Sequence, residues 1–183
     1  MRREEVRIAG FGGQGVILAG LTLGRAAALY DDKYAAVSQS FGPEARGGAC
    51  AAEVVISEEP VDFPRVTDPS SLVVMSQEAF ELYARGRPYH RDLLIDKDLV
   101  ELPPGFGWRP TAIPFTATAE QLGKKIVTNM VMLGALGGKT GVVSPESLKR
   151  AVADVVPANA LDLNMRAFER GYELGRAARG ARP

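Results

Sequence analysis

Short apolar runs alternate along the chain with longer segments of helical periodicity, the pattern of strands feeding helices. Val6 to Ala9 is a short apolar strand that ends in a glycine cluster, and Val16 to Tyr30 then reads as a helix. Small and apolar residues cover most of that helix, which predicts burial on several sides. Asp31 and Asp32 make a turn into a second strand, Tyr34 to Ser38, and Gln39 to Gly48 reads as a loop. Ala51 to Ser57 is a third strand with no helix before it, so strands two and three are expected to pair antiparallel. Glu58 to Pro69 is a polar, proline-punctuated connection. Leu72 to Met75 has the continuous apolar run of a strand buried on both faces. Gln77 to Arg85 follows as a short helix, supported by Glu81 and Arg85 at i,i+4.

Asp92 to Asp96 predicts another strand, Pro103 to Gly107 a loop and Trp108 to Pro114 a weaker strand. Thr118 and Gln121 match a T-x-x-Q capping box, which predicts the start of a long helix. That helix is nearly all apolar from Ile126 to Leu136, so it needs the sheet and a further layer to enclose it. Ser144 caps the next helix with Pro145 at its first position. Ala160 to Arg179 is the last, with Leu161, Met165, Phe168 and Tyr172 as its core stripe. Arg166, Arg170, Arg176 and Arg179 read as a solvated face, with partner binding as the competing reading. Together these elements predict a three-layer α/β fold around a mostly parallel sheet, one domain over residues 1–183.

The strand-to-helix junction carries the first candidate chemistry. Gly10, Gly12 and Gly15 match G-x-G-x-x-G, with Gly13 as an additional glycine. A Rossmann-like glycine turn of this kind lets backbone N–H groups approach an anion and adds the partial positive charge of a helix start. The competing reading is that the glycines only allow close packing of the first helix. Dinucleotide binding also requires an acidic residue at the end of strand two. Gln39 and Ser40 stand there, and Asp31 and Asp32 lie at the strand's other end. A nucleophile elbow is absent, and Gly138-Lys139-Thr140 lacks the strand and glycine loop of a phosphate-binding loop.

Composition narrows the field. The 183 residues carry zero formal net charge and are 46% hydrophobic, which fits a globular protein and gives no basic excess for nucleic acid. No apolar region resembles a signal peptide, and the run from Ile126 to Gly138 is too short to span a bilayer, so the expectation is a cytoplasmic protein without a membrane segment. One cysteine, Cys50, cannot hold an iron–sulfur cluster, and one histidine, His90, leaves no structural zinc site. Cys50, flanked by alanines, is expected to be buried, and His90 to lie in a surface loop.

The second candidate is the loop Gln39 to Gly48. Glu44 and Arg46 are set between Gly42-Pro43 and Gly47-Gly48. They form either an exposed ion pair or a site in which Arg46 binds phosphate or carboxylate as a fork-shaped donor. A loop at the carboxyl end of strand two is expected beside the glycine turn at the end of strand one.

Gly-Phe-Gly-Gly-Gln-Gly followed by Ser-Phe-Gly-Pro-Glu-Ala-Arg-Gly-Gly resembles the γ subunit of 2-oxoacid:ferredoxin oxidoreductases. The resemblance continues through Glu53 to Ser57, Met75 to Ala79 and the helix that contains Asn129, nearly the whole chain. It implies a complex that oxidatively decarboxylates a 2-oxoacid to its acyl-coenzyme A and reduces ferredoxin. It further implies thiamine diphosphate and Mg on α and β subunits and 4Fe-4S clusters on partner chains, including a ferredoxin-like δ subunit. This chain would close the active site and help bind coenzyme A through Gly10, Gly12, Gly13, Gln14, Gly15, Ser40, Glu44, Arg46 and Asn129, without catalytic residues or a metal of its own. Ala45, Gly48 and Ala49 depart from the pyruvate-type loop of the family and favour a 2-oxoglutarate or branched-chain substrate, with 2-oxoglutarate preferred. A stand-alone nucleotide-binding enzyme and a purely structural assembly subunit are the competing readings.

Overall fold

The computed structural model of the chain describes residues 3–41, 48–86 and 91–179. Its sheet is built outward from β1 (Arg3–Phe11), which pairs on one side with an antiparallel neighbour and on the other with a parallel one. In chain order the other strands are β2 (Tyr34–Phe41), β3 (Ala49–Ser57), β4 (Ser71–Val74), β5 (Asp92–Asp96) and β6 (Thr111–Ile113). They lie in the order β2-β3-β1-β4-β5-β6. The expected antiparallel pairing of β2 with β3 is present, and β3 is also antiparallel to β1. β1, β4, β5 and β6 run parallel, so the sheet is mixed, with a parallel half and an antiparallel half.

The helices are α1 (Val16–Tyr30), α2 (Gln77–Tyr83), α3 (Phe115–Gln121), α4 (Thr128–Thr140), α5 (Pro145–Val155) and α6 (Leu161–Arg179). Strand alternation divides their packing. Val6 and Ile8 of β1 join the larger core with Leu23, Met130, Leu133 and Phe168, whereas Ala9 joins a smaller one with Leu72, Val74 and Phe80 of the α2 side. β4 is buried at all four positions because both cores press on it. α1 is not buried on all sides: Leu18, Leu21 and Leu29 are exposed.

The long apolar helix does not begin at Thr118. Pro114 leads directly into α3, which places Thr118 inside that helix, and α3 ends before Gly123 at φ +101°. A 3₁₀ turn, Lys125–Val127, then restarts the chain into α4. The break leaves Ile126 on the surface at 79% exposure, outside the core that the apolar run implied. Ser144 caps α5 as expected, accepting from the Ser147 N–H at 3.2 Å.

α4 is enclosed by α6 through glycines on both helices. A Cβ at Gly134 would lie 2.0 Å from the Phe168 carbonyl oxygen, and one at Gly138 2.3 Å from that of Tyr172. Reciprocally, Gly171 meets the Val131 carbonyl oxygen at 1.9 Å and Gly175 that of Ala135 at 2.1 Å. The backbones therefore touch, and the buried face of α6 is Ala167, Phe168, Gly171 and Gly175. Leu161, Met165 and Tyr172 of the expected stripe are only partly buried. Arg166 and Arg170 make exposed ion pairs on their own helix, and Arg179 donates to the Thr140 carbonyl at 3.0 Å.

Gly171→Val is expected to destabilise the chain by about 1–3 kcal/mol or more, since the facing carbonyl belongs to a helix that cannot move aside alone. Gly107→Ala, which meets no atom within 4 Å, is expected to stay within about 0.5 kcal/mol. Urea unfolding of both variants measures the difference; equal midpoints would contradict the backbone-contact account.

Candidate functional site

The glycine turn joins the end of β1 to the start of α1. Gly13 at φ +100° and Gly15 at φ +72° take left-handed conformations that glycine adopts without a Cβ clash. Gly15 is the residue before α1 and provides no side-chain cap, so the turn ends in a helix start with no side-chain partner of its own. The Gln14 N–H donates to the Phe11 carbonyl at 3.2 Å and closes the turn.

Gln14 then fixes the turn in space. Its Oε1 accepts from the Phe11 N–H at 2.9 Å, and its Nε2 donates to the Met75 carbonyl at 2.8 Å. One side chain thus ties the end of β1 to the residue that follows β4. Two glycines yield to this arrangement. A Cβ at Gly10 would lie 2.4 Å from Gln14 Oε1, and one at Gly15 would lie 2.4 Å from Asn129 Nδ2. Asn129, buried at the start of α4, donates weakly to the Gly15 carbonyl at 3.4 Å. The structure therefore brings Gly10, Gly13, Gln14, Gly15 and Asn129 together. The packing reading of the glycines holds for Gly10 and Gly15, while Gly12 and Gly13 are exposed.

A crevice of about 280 Å³ opens beside the turn, lined by Phe11, Gly13, Gln14, Thr116, Lys125, Ile126 and Thr128. Thr116 is held from behind by Asp96, which is fully buried at the carboxyl end of β5. The Asp96 carboxylate accepts from the Thr116 hydroxyl at 2.6 Å, the Thr116 N–H at 3.2 Å and the Asp98 N–H at 3.1 Å. Burial pushes its carboxyl above the usual range, and these hydrogen bonds oppose the shift. The Thr128 hydroxyl donates to the Lys125 carbonyl at 2.6 Å. Lys125 meets Glu120 only at 4.0 Å, with both side chains exposed.

Ser40 does not join this cluster. It sits on β2 opposite Ala51, and Ala51 is in turn opposite Ala9, so β3 stands between Ser40 and the turn. The same topology corrects the expectation that strands one and two are neighbours. The carboxyl ends of β1 and β2 nevertheless share one sheet edge, since Gly10 and Phe41 both pair with Cys50. Gln39 to Phe41 belong to β2 rather than to the loop. Glu44, Arg46 and His90 lie outside the described residues.

The remaining candidates are structural. Asp31 is partly buried, which opposes its ionisation. Bonds from Lys33, Ser144 and Ser147 still hold its carboxyl below the usual range and tie the end of α1 to the start of α5. Lys139 donates to the Ala178 carbonyl and Thr140 to that of Leu136, so neither faces the crevice. Cys50 is buried at 6% exposure, and burial pushes its thiol up. Among the described residues, no three His, Cys, Asp or Glu side chains are placed to hold a metal ion, and no helix is long and apolar enough to cross a membrane. Sequence reasoning missed Phe11, Thr116, Lys125, Ile126 and Thr128. The signal was Gly123-Lys124-Lys125, a breaker followed by charge inside an apparently continuous helix.

Residues 5–174 match the family described as pyruvate ferredoxin/flavodoxin oxidoreductase. The 2-oxoglutarate synthase subunit KorC of Methanocaldococcus jannaschii is 50% identical over 177 residues, covering 95% of either chain. The γ subunit of keto/oxoacid ferredoxin oxidoreductase from Geobacter sulfurreducens superposes with a TM-score of 0.87 at 44% identity, over 97% of this chain and 99% of that one. A 2-oxoglutarate:ferredoxin oxidoreductase from Magnetococcus marinus, solved with 2-oxoglutarate, coenzyme A and succinyl-CoA, superposes with a TM-score of 0.88 at 25% identity. That likeness spans all of this chain but 32% of the larger one.

Gly15→Ala is expected to cost about 2–3 kcal/mol, combining the clash with Asn129 and the left-handed backbone. In the double variant Gly15→Ala/Asn129→Ala the clash with the Asn129 amide is removed and only the contact with its Cβ, at 3.0 Å, remains, so the two losses are expected to be non-additive. Denaturant unfolding of the four proteins in the cycle measures this, and additive losses would show that the two residues do not share the space.

Proposed function

The chain belongs to the pyruvate ferredoxin/flavodoxin oxidoreductase family, and on that premise we propose that it is the γ subunit of a 2-oxoglutarate:ferredoxin oxidoreductase. The observation that carries this reading is the 50% identity to a KorC subunit over 95% of both chains. The reaction converts 2-oxoglutarate and coenzyme A to succinyl-coenzyme A and carbon dioxide, passing two electrons to ferredoxin. In this reading α and β subunits hold thiamine diphosphate and Mg, and partner chains that include a ferredoxin-like δ subunit hold 4Fe-4S clusters. The single cysteine of this chain agrees with that division. The complex is expected in the cytoplasm.

The chain's own contribution is to shape one wall of the site that receives coenzyme A. The helix start at Gly15 and Val16 favours phosphate, because its first N–H groups have no intrahelical acceptor. Gln14 and Asn129 preorganise that start, which lowers the ordering cost of ligand binding. In this reading Arg46 adds a charge-assisted contact. Phe11, Leu18, Leu21, Phe41 and Ile126 are exposed apolar side chains that support burial against partner subunits.

The test uses the complex co-purified with its native companions. It is expected to reduce ferredoxin with 2-oxoglutarate in clear preference to pyruvate and branched-chain 2-oxoacids. Arg46→Ala is expected to raise the KM for coenzyme A by about tenfold to a hundredfold, the worth of one charge-assisted contact. The KM for the 2-oxoacid should stay unchanged. A chain that co-purifies with no thiamine-diphosphate protein would overturn the assignment, and an intact complex indifferent to Arg46→Ala would remove the ligand role of that loop.

A further inference from the structure

We propose that β2 is a docking edge for a second copy of this chain, the two strands pairing antiparallel about a two-fold axis at Val37. The sheet has two outer strands, β2 and β6. β6 has three residues and stands between Pro110 and Pro114, the short, proline-flanked form that resists further pairing. β2 has none of these defences. It runs eight residues, Tyr34–Phe41, without a charge or a proline. It pairs with β3 residue by residue from Tyr34↔Ser57 to Phe41↔Cys50, with no bulge to turn the edge away. Among the described residues no strand lies along its other side. In an antiparallel pair alternate residues direct their N–H and C=O groups away from the neighbour, so β2 presents about four donors and four acceptors outward.

The side chains select the occupant. Ala35 and Val37 face α1: both pack on the larger core, and Val37 fills the space at Gly24. Ser38 points to the other face, where its hydroxyl donates weakly to Glu53 at 3.4 Å. A two-fold axis normal to the sheet keeps each face with its like. With the axis at Val37, the one β-branched residue of the strand opposes itself. Ala35 then opposes Gln39, Ala36 opposes Ser38 and Tyr34 opposes Ser40, so no pair sets a large apolar side chain against a charge. Neutrality matters most in self-pairing, because any charge on the strand would meet its own copy close by. A strand selected for a foreign partner gains discrimination from charged side chains, and β2 carries none.

The geometry leaves the rest of the molecule free. The paired stretch ends at Ser40, so Phe41 remains available to the companion subunits. β1 and β2 are both antiparallel to β3 and therefore run the same way. A two-fold axis reverses that direction in the second copy, so the two glycine turns stand at opposite ends of one joined sheet. Strand pairing alone belongs with interfaces below about 1,200 Å², and the dimer is accordingly weak and concentration-dependent. The proposal does not rest on the coenzyme A reading.

The experiment is sedimentation of the full chain over about a hundredfold range of concentration, with amide hydrogen exchange on the same samples. The expected result is a monomer–dimer equilibrium in which the outward amides of residues 34–40 are protected at high concentration and lose protection on dilution. Ala36→Lys sets two lysines as diagonal neighbours across the axis and is expected to raise the dimer Kd by about tenfold or more. Ala177→Lys, on the exposed side of α6, is expected to leave it unchanged. A chain that stays monomeric throughout would overturn the proposal, as would a dimer whose β2 amides exchange freely. Protection of β2 seen only in the assembled complex would give the edge to a companion strand and overturn it too. Each of these failures leaves the subunit assignment standing, since that rests on the identity to KorC.

Discussion

The space that side chains at positions 10 and 15 would need is taken by Gln14 and Asn129. A Cβ at either glycine would come within 2.4 Å of one of those amides, so the turn has this form only with glycine at both. The consequences run outward. Gln14 reaches Met75 and locks β1 to the end of β4. Asn129 packs α4 against the start of α1, filling the space at Gly15 and donating weakly to its carbonyl. α4 in turn owes its place to α6, whose glycines admit carbonyl contact along the buried face. A helix pair separated by ordinary side chains would hold Asn129 farther from the turn and leave the first N–H groups of α1 less firmly placed.

Much of this was legible in the chain. The glycine spacing placed the turn, the absence of a helix between β2 and β3 placed an antiparallel pair, and Asp92 to Asp96 has the bounds the pattern predicted. These are local signals: spacing, punctuation and alternation. What was not legible depended on contacts between distant segments. Ser40 appeared adjacent to the turn because strand order cannot be read from one sequence, and β3 inserts between β2 and β1. Phe168 was legible on the buried face of α6, but Gly171 and Gly175 escaped because glycines carry no hydrophobicity signal, although they are the residues that make closest contact.

The misread capping box has the same origin. Thr118 and Gln121 satisfy the local rule, but Pro114 starts the helix earlier and Gly123 ends it before α4 begins. The resulting interruption shapes the surface beside the glycine turn. It turns Lys125 and Ile126 outward beside the glycine turn and so builds the second wall of the crevice. The crevice thus stands where a local sequence rule gives way to tertiary structure.

The central claim is that this chain, through the glycine turn and the segment before α4, forms part of the coenzyme A site of a larger enzyme. Hydrogen–deuterium exchange on the assembled complex, with and without coenzyme A, tests it most directly. The account predicts ligand-dependent protection in peptides covering residues 11–18 and 124–130, with little change in the α5 and α6 peptides on the surface away from the turn. Protection confined to the companion subunits, with residues 11–18 exchanging at the same rate in both states, would contradict it.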